Sequence, residues 1–191
     1  MSASKKLLKD LPTEEEMFDK INNLKKQPHQ TAVILGGAYL DHALEVLLVN
    51  KMRPLKVEDR NRLFSSRVNG YLSGTDVKIR LAYNLWLFGP YTYHDLMLIN
   101  SIRNVFAHSM HEIDINNALV AEDCMNLKLL HVIPRLKLLP VPRSSDDPFT
   151  HLVNTIWVLW LDLAHSRHAI ERNRKHESWR ENRDYELVTL P

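Results

Sequence analysis

Arg103, Asn104 and His108 fall within six residues of one another in "INSIRNVFAHSM", an otherwise largely apolar run from Ile99 to Met110. A guanidinium can grip a phosphate through two parallel N–H bonds and offset charge that develops on it. An imidazole titrates near neutrality and can move a proton to or from a hydroxyl. The set therefore has the residue types for phosphate handling with proton transfer. It equally suits an ordinary helix end, where a histidine in the last turn complements the helix dipole and binds free carbonyls.

Helical geometry limits what these side chains can do together. Taking Asp95 as the origin and about 100° per residue, Leu98, Ile99, Ile102 and Phe106 fall within about 60° of it and form the buried face. Asn100, Ser101, Asn104 and His108 gather on the opposite side, with Arg103 at the border. Asn104 and His108 are four residues apart and share a face. Arg103 and His108 are five apart, so they point about 140° away from each other. They meet on one ligand only if the helix ends near His108 or a second subunit supplies another copy. Spacing alone favours the structural reading.

The elements that must hold this helix are themselves helical. Thr13 and Glu16 form a capping box ahead of Met17, Ile21 and Leu24 at helical spacing, and Pro28 breaks that helix. A long helix from about Gln30 to Lys51 is apolar almost all round, as a central helix should be, with a narrow polar strip at Asp41 and Glu45. "KVEDRNRLF" reads as a short amphipathic turn or helix. Thr75 or Ser73 is expected to cap a helix reaching about Leu87, with Val77, Leu81, Leu85 and Phe88 as its buried stripe, stopped by Gly89-Pro90. Thr92 is then expected as an N-cap with Asp95 completing a second capping box. "HEIDINNALV" reads as extended or loop-like, "ALVAEDCMNLKLL" as helix, and "PRLKLLPVPRSSDDP" as a long connector. Asp147-Pro148 opens a last helix to about Asn173.

Composition excludes several classes. Five glycines in 191 residues are few for a β-sandwich, a Rossmann unit or a phosphate loop. One cysteine, Cys124, can form neither an internal disulfide nor a thiolate cluster. A net charge of +2 predicts no broad nucleic-acid surface. The N-terminus lacks a signal-peptide core, and "FTHLVNTIWVLWLDLAH" is too short and too polar to span a membrane. A cytoplasmic protein without membrane attachment is the expectation. So is a single-domain, all-α bundle of about five or six helices over residues 13–174, with an N-terminal extension at 1–12 and a mixed-charge tail at 175–191.

Other constellations are weaker. Asp41 and Glu45 could serve as carboxylate ligands, but a di-iron bundle needs paired Glu-x-x-His motifs and the chain has none. His165 and His168 lie three apart without a third strong ligand nearby, a poor zinc pattern. Trp157 and Trp160 are expected in the core. The helix carrying Lys78 and Arg80 is the nearest approach to a DNA-reading helix, and it is heavily apolar on its other face. No cofactor or metal is expected.

"HDLMLINSIRNVFAHS" resembles the signature of the bacterial mannitol operon repressor family. The similarity extends through "LSGTDVKIRLAYNLWLFG", "LDHALEVLL" and "DPFTHLVNTIWVLWLDLA", roughly from Thr13 to Asn173. Asn100 stands where the family often has arginine, and Trp86 where it has a glycine-like position. The resemblance implies an accessory transcription regulator that acts through contacts with another protein, a regulator or the transcription machinery, and as a possible homodimer. Asp41, Asp95, Arg103, Asn104 and His108 would be its structural and binding signature. Arg103, Asn104 and His108 also resemble the core motif of HEPN domains. That implies a HEPN-like up-and-down bundle and, as an alternative function, a metal-independent ribonuclease with Arg103 as phosphate clamp, Asn104 as positioner and His108 as acid-base. Direct DNA binding is a further alternative.

Overall fold

The computed structural model describes residues 11–52, 55–109, 113–132 and 145–175, with side chains to residue 166. The expected N-terminal extension, most of the proline-rich connector and the tail lie outside the described residues. Among those described there is no strand, and the architecture is an all-α bundle. Its helices are α1 (Glu14–Leu24), α2 (His29–Lys51), α3 (Val57–Phe64), α4 (Thr75–Asn84), α5 (Pro90–His108), α6 (Ala118–Met125), α7 (Leu129–Val132) and α8 (Pro148–Lys175), with a 3-10 turn at Ser66–Val68. The short pieces α3, α6 and α7 raise the number above the expected five or six.

The capping box opens α1 as its sequence demands. The Glu16 amide donates to Thr13 Oγ1 at 3.2 Å and the Thr13 amide donates to Glu16 Oε2 at 2.8 Å. Met17, Ile21 and Leu24 are its buried residues. Asp147 caps α8 by accepting the Thr150 amide at 2.8 Å, and the Thr150 hydroxyl and amide hold its carboxyl below the usual carboxylate range.

α2 is the centre of the bundle. It packs on α8, α5, α4 and α1, and its buried residues cover a broad arc of its circumference, with Thr31, Leu35 and Ala38 on the exposed side. It is long and apolar enough to cross a bilayer by length and composition, and more than half of that apolar window is buried against neighbouring helices. α8 supplies the other large apolar surface. Trp160 is fully enclosed, and Trp157 stacks on it with ring centroids 5.9 Å apart.

Three local expectations are overturned. Thr92 does not cap α5. The helix starts at Pro90 behind Gly89, and the Thr92 hydroxyl instead donates to Asp162 Oδ2 on α8 at 2.8 Å. Neither Thr75 nor Ser73 caps α4, whose N-cap is Gly74 and which ends at Asn84 rather than Leu87. Nor is Val77–Leu85 its buried stripe. Val77 and Leu85 are exposed, and the enclosed residues are Lys78, Ile79 and Ala82. A charged residue faces inward because its partner waits on α2.

The end of α4 is a Schellman motif. The Leu87 amide donates to Ala82 O and the Trp86 amide to Tyr83 O, which places Trp86 in the left-handed region at φ 56°. Glycine is the usual residue there because any Cβ is strained. The geometry makes position 86 glycine-like, and nothing in the structure explains the tryptophan there, which is exposed.

His151 lies fully enclosed in the first turns of α8, with Nε2 3.4 Å from the Leu127 carbonyl and its ring 5.3 Å from that of His131. Burial holds its pKa below the ordinary 6.5; the Leu127 carbonyl and Asp95 oppose that shift, and His131 adds to it. The unfolded chain therefore binds a proton at His151 at a higher pH than the folded chain does. Its neutral, buried state is fully compatible with folding above pH 6.5 and costs stability as pH falls below that value. Asp162, raised by burial above 3.8, has the opposite sign. Urea unfolding should show stability lost between pH 7.5 and 5.5, at values set by roughly one titrating histidine. His151→Gln should flatten that slope. An unchanged slope in the variant would assign the effect to another group.

Candidate functional site

A cleft of ≈ 420 Å³ opens where α2, α4 and α5 meet. Leu40, Leu44, Ile79, Leu96 and Ile99 form its apolar floor, and Asp41, Thr75, Asp76, Asn100, Arg103 and Asn104 its polar walls. Ser66 and Ser73 line it from the segment between α3 and α4. Its size is that of small-molecule pockets, while its lining is more polar than theirs and has no aromatic side chain.

Each wall has a local cause. On α5 the buried face of Ile99, Ile102 and Phe106 is as the helical wheel predicts, which leaves Asn100, Arg103 and Asn104 on the cleft side. Arg103 lies over α2 at Gly37. A Cβ at that glycine would stand 2.9 Å from Arg103 Cγ, so the absence of a side chain makes the seat for the arginine stem. The guanidinium Nη1 donates to Asn104 Oδ1 at 3.1 Å.

Asp41 is the anchor of the opposite wall. Its two oxygens accept from Lys78 Nζ at 2.8 and 2.7 Å, and Oδ1 also accepts from the Thr75 hydroxyl at 2.7 Å. Lys78 is 2% exposed, while the Asp41 side chain keeps 32% exposure toward the cleft. Glu45, one turn along α2, is held separately by Arg60 at 2.7 Å. Both carboxylates of the polar strip thus have cationic partners from outside α2. Lys78, enclosed and paired, is not available to contact DNA.

Of the five signature residues, the structure gathers three, Asp41, Arg103 and Asn104, around the cleft. His108 is not among its walls. It is exposed and makes no hydrogen bond or ion pair among the described residues. α5 ends there, with His108 as its last helical residue and Ser109, whose amide donates to Val105 O, as its C-cap. Helical spacing therefore keeps His108 turned away from Arg103 within one chain.

Asp95 is also elsewhere, and fully buried. Its carboxylate accepts the Lys128 amide at 2.9 and 3.0 Å, the Leu129 amide at 2.8 Å, and lies 2.8 Å from His94 Nδ1. It caps α7 across the bundle rather than its own helix. No reacting atom can reach it.

Two further polar groups belong to the packing. His165 pairs with Glu14 at 3.3 Å and ties α8 to α1, and the His168 side chain lies outside the described residues. Cys124 is fully buried, and burial pushes its thiol up to about 12, so it is not a nucleophile at neutral pH.

Sequence reasoning missed Gly37, Lys78, Thr75 and the two serines. The signal for Gly37 was present. A glycine pair, Gly36-Gly37, in mid-helix costs about 1 kcal/mol per residue against alanine, which points to close approach by another element.

Over the described residues, the fold and site together define an all-helical bundle with a polar cleft set in its flank. Compared with known proteins, the chain matches no family model, no curated protein and no solved structure.

Proposed function

We propose that this protein works by binding rather than by turnover, as a cytoplasmic accessory regulator of the mannitol operon repressor type. It acts through contacts with another protein. The observation that carries this reading is the division of the signature: Arg103 and Asn104 line a cleft with the charge-compensated Asp41, and His108 stands outside it. Phosphoryl chemistry on RNA needs the proton carrier within reach of the atom that the arginine holds. A recognition site needs only the arginine, the amides and a shaped floor. The enclosure of Lys78 also favours protein contacts over base readout, because it removes a cation from the helix best suited to DNA.

Incubation of the purified protein with single-stranded RNA in the presence of a chelator tests the reading. No cleavage products are expected, from the wild type or from His108→Ala. Cleavage that disappears in His108→Ala would overturn it and show that a second copy completes the site. A mobility-shift series on duplex DNA should give no shift even at low salt, where phosphate contacts are strongest.

A further inference from the structure

The cleft's polar walls are unequal in what they offer. Asn104 Oδ1 is committed to Arg103, so the amide of Asn104 is left presenting its N–H₂ group. Arg103 has five N–H donors, of which one is used by a described residue. Side by side, the two form a surface that donates and does not accept. On the opposite wall the charge of Asp41 is offset by Lys78, and its oxygens accept three bonds from Lys78 and Thr75. The guanidinium has no carboxylate partner among the described residues, although it is half-buried and its stem is seated on Gly37.

From these features the geometry points to an oxyanion site: the cleft takes a small ligand whose carboxylate or phosphate group is held by Arg103 and the Asn104 amide. The inference rests on the reading of the cleft as a recognition site and names its ligand class. A planar, forked donor set suits both anions, since each presents paired oxygens. The cleft has room for the rest of a small molecule, with Leu40, Leu44 and Ile79 enclosed behind its surface. Asp76 is the one carboxylate of the walls without a described partner. It is exposed, and its charge opposes an anionic guest.

Titration of the full chain with inorganic phosphate and, separately, with succinate tests the site, with chloride at matched ionic strength as control. The side-chain N–H signals of Arg103 and Asn104 are the readout. Both anions, or one, should shift these signals saturably while chloride does not, and the one that binds more tightly identifies the source of the oxyanion. Arg103→Gln should weaken binding about tenfold or more. Gly37→Ala, which crowds the arginine stem and leaves the charge in place, should weaken it less, and Asp76→Asn should tighten it ~3-fold.

Absence of saturation with both anions overturns the site. So does equal binding by Arg103→Gln, or an Asp76→Asn variant that binds no tighter. Because Asp76→Asn changes only an exposed side chain, its result does not depend on a fragile variant. The two readings fail separately. Protein that cleaves RNA through His108 yet titrates phosphate at Arg103 loses the regulatory reading and keeps the site. Protein inert on RNA that never saturates keeps the regulatory reading and loses the site.

Discussion

Asp95→Ala should lower the melting temperature by roughly 10 °C or more, with the variant still helical below its transition. The reason is local. The wild-type carboxylate is fully buried and accepts two backbone amides, those of Lys128 and Leu129, from a segment 33 and 34 residues away. Alanine leaves the buried Leu129 amide with no acceptor and the part-buried Lys128 amide without its own. Bonds to a charged acceptor contribute about 1.5–3 kcal/mol each, and a buried orphan donor costs about 1–3 kcal/mol. A loss of about 3–5 kcal/mol is the expected total. Asp95→Asn keeps one acceptor oxygen and should show about half the effect. Thermal melts followed by circular dichroism decide the matter. A shift below about 3 °C would mean that α7 finds other acceptors.

The second large effect is at Asp41. Removing it by Asp41→Ala strands the ammonium of Lys78, which is 2% exposed. Loss of one partner of a buried pair costs about 3–5 kcal/mol, and the lower end applies here because Asp41 itself is 32% exposed. Lys78→Met removes the charge and keeps the length, so it should cost about 1 kcal/mol. In combination, Lys78→Met should rescue much of the damage done by Asp41→Ala. A coupling of about 2 kcal/mol in the double-mutant cycle is expected from urea unfolding. Additive single effects would show that the pair is not the source of the cost.

Much of the scaffold was legible because its signals are local. Thr13 with Glu16, and Asp147 ahead of Pro148, each fix a helix start through bonds within four residues. The all-round apolar character of α2 announced a central helix, and the wheel of α5 separated Ile99, Ile102 and Phe106 from Asn100 and Asn104 correctly. What failed was non-local. Asp95 has the sequence position of a local cap, yet its acceptors serve α7, and no pattern near residue 95 encodes that. At α4 the stripe chosen by helical spacing, Val77, Leu81 and the C-cap Leu85, is exposed or half-exposed, while Ile79 and Ala82 are the enclosed aliphatics, so the choice selected the wrong face. Lys78 turned inward for a carboxylate 37 residues earlier. The candidate site was half legible: the residue types and the divergence of Arg103 from His108 followed from helical spacing, but the far wall, Asp41 with Lys78 and Thr75, comes from helices distant in sequence.

The Asp41–Lys78 pair also bears on which packing the chain adopts. Apart from the strip of Asp41 and Glu45, α2 meets its neighbours with apolar surface, and an apolar surface is indifferent to sliding. Moved by one turn against α2, α4 could still bury Ile79 and Ala82 against leucines. It could not bury Lys78, because one turn along from Asp41 lies Glu45, already held by Arg60. A slipped register thus leaves an ammonium unmatched, which hydrophobic contact alone would not penalise. The charge pair acts as a key for alignment, and the cleft, whose walls come from both helices, inherits its shape from that key. Joint replacement by Asp41→Leu and Lys78→Met should therefore preserve most of the stability while broadening the methyl resonances of Leu40, Leu44 and Ile79.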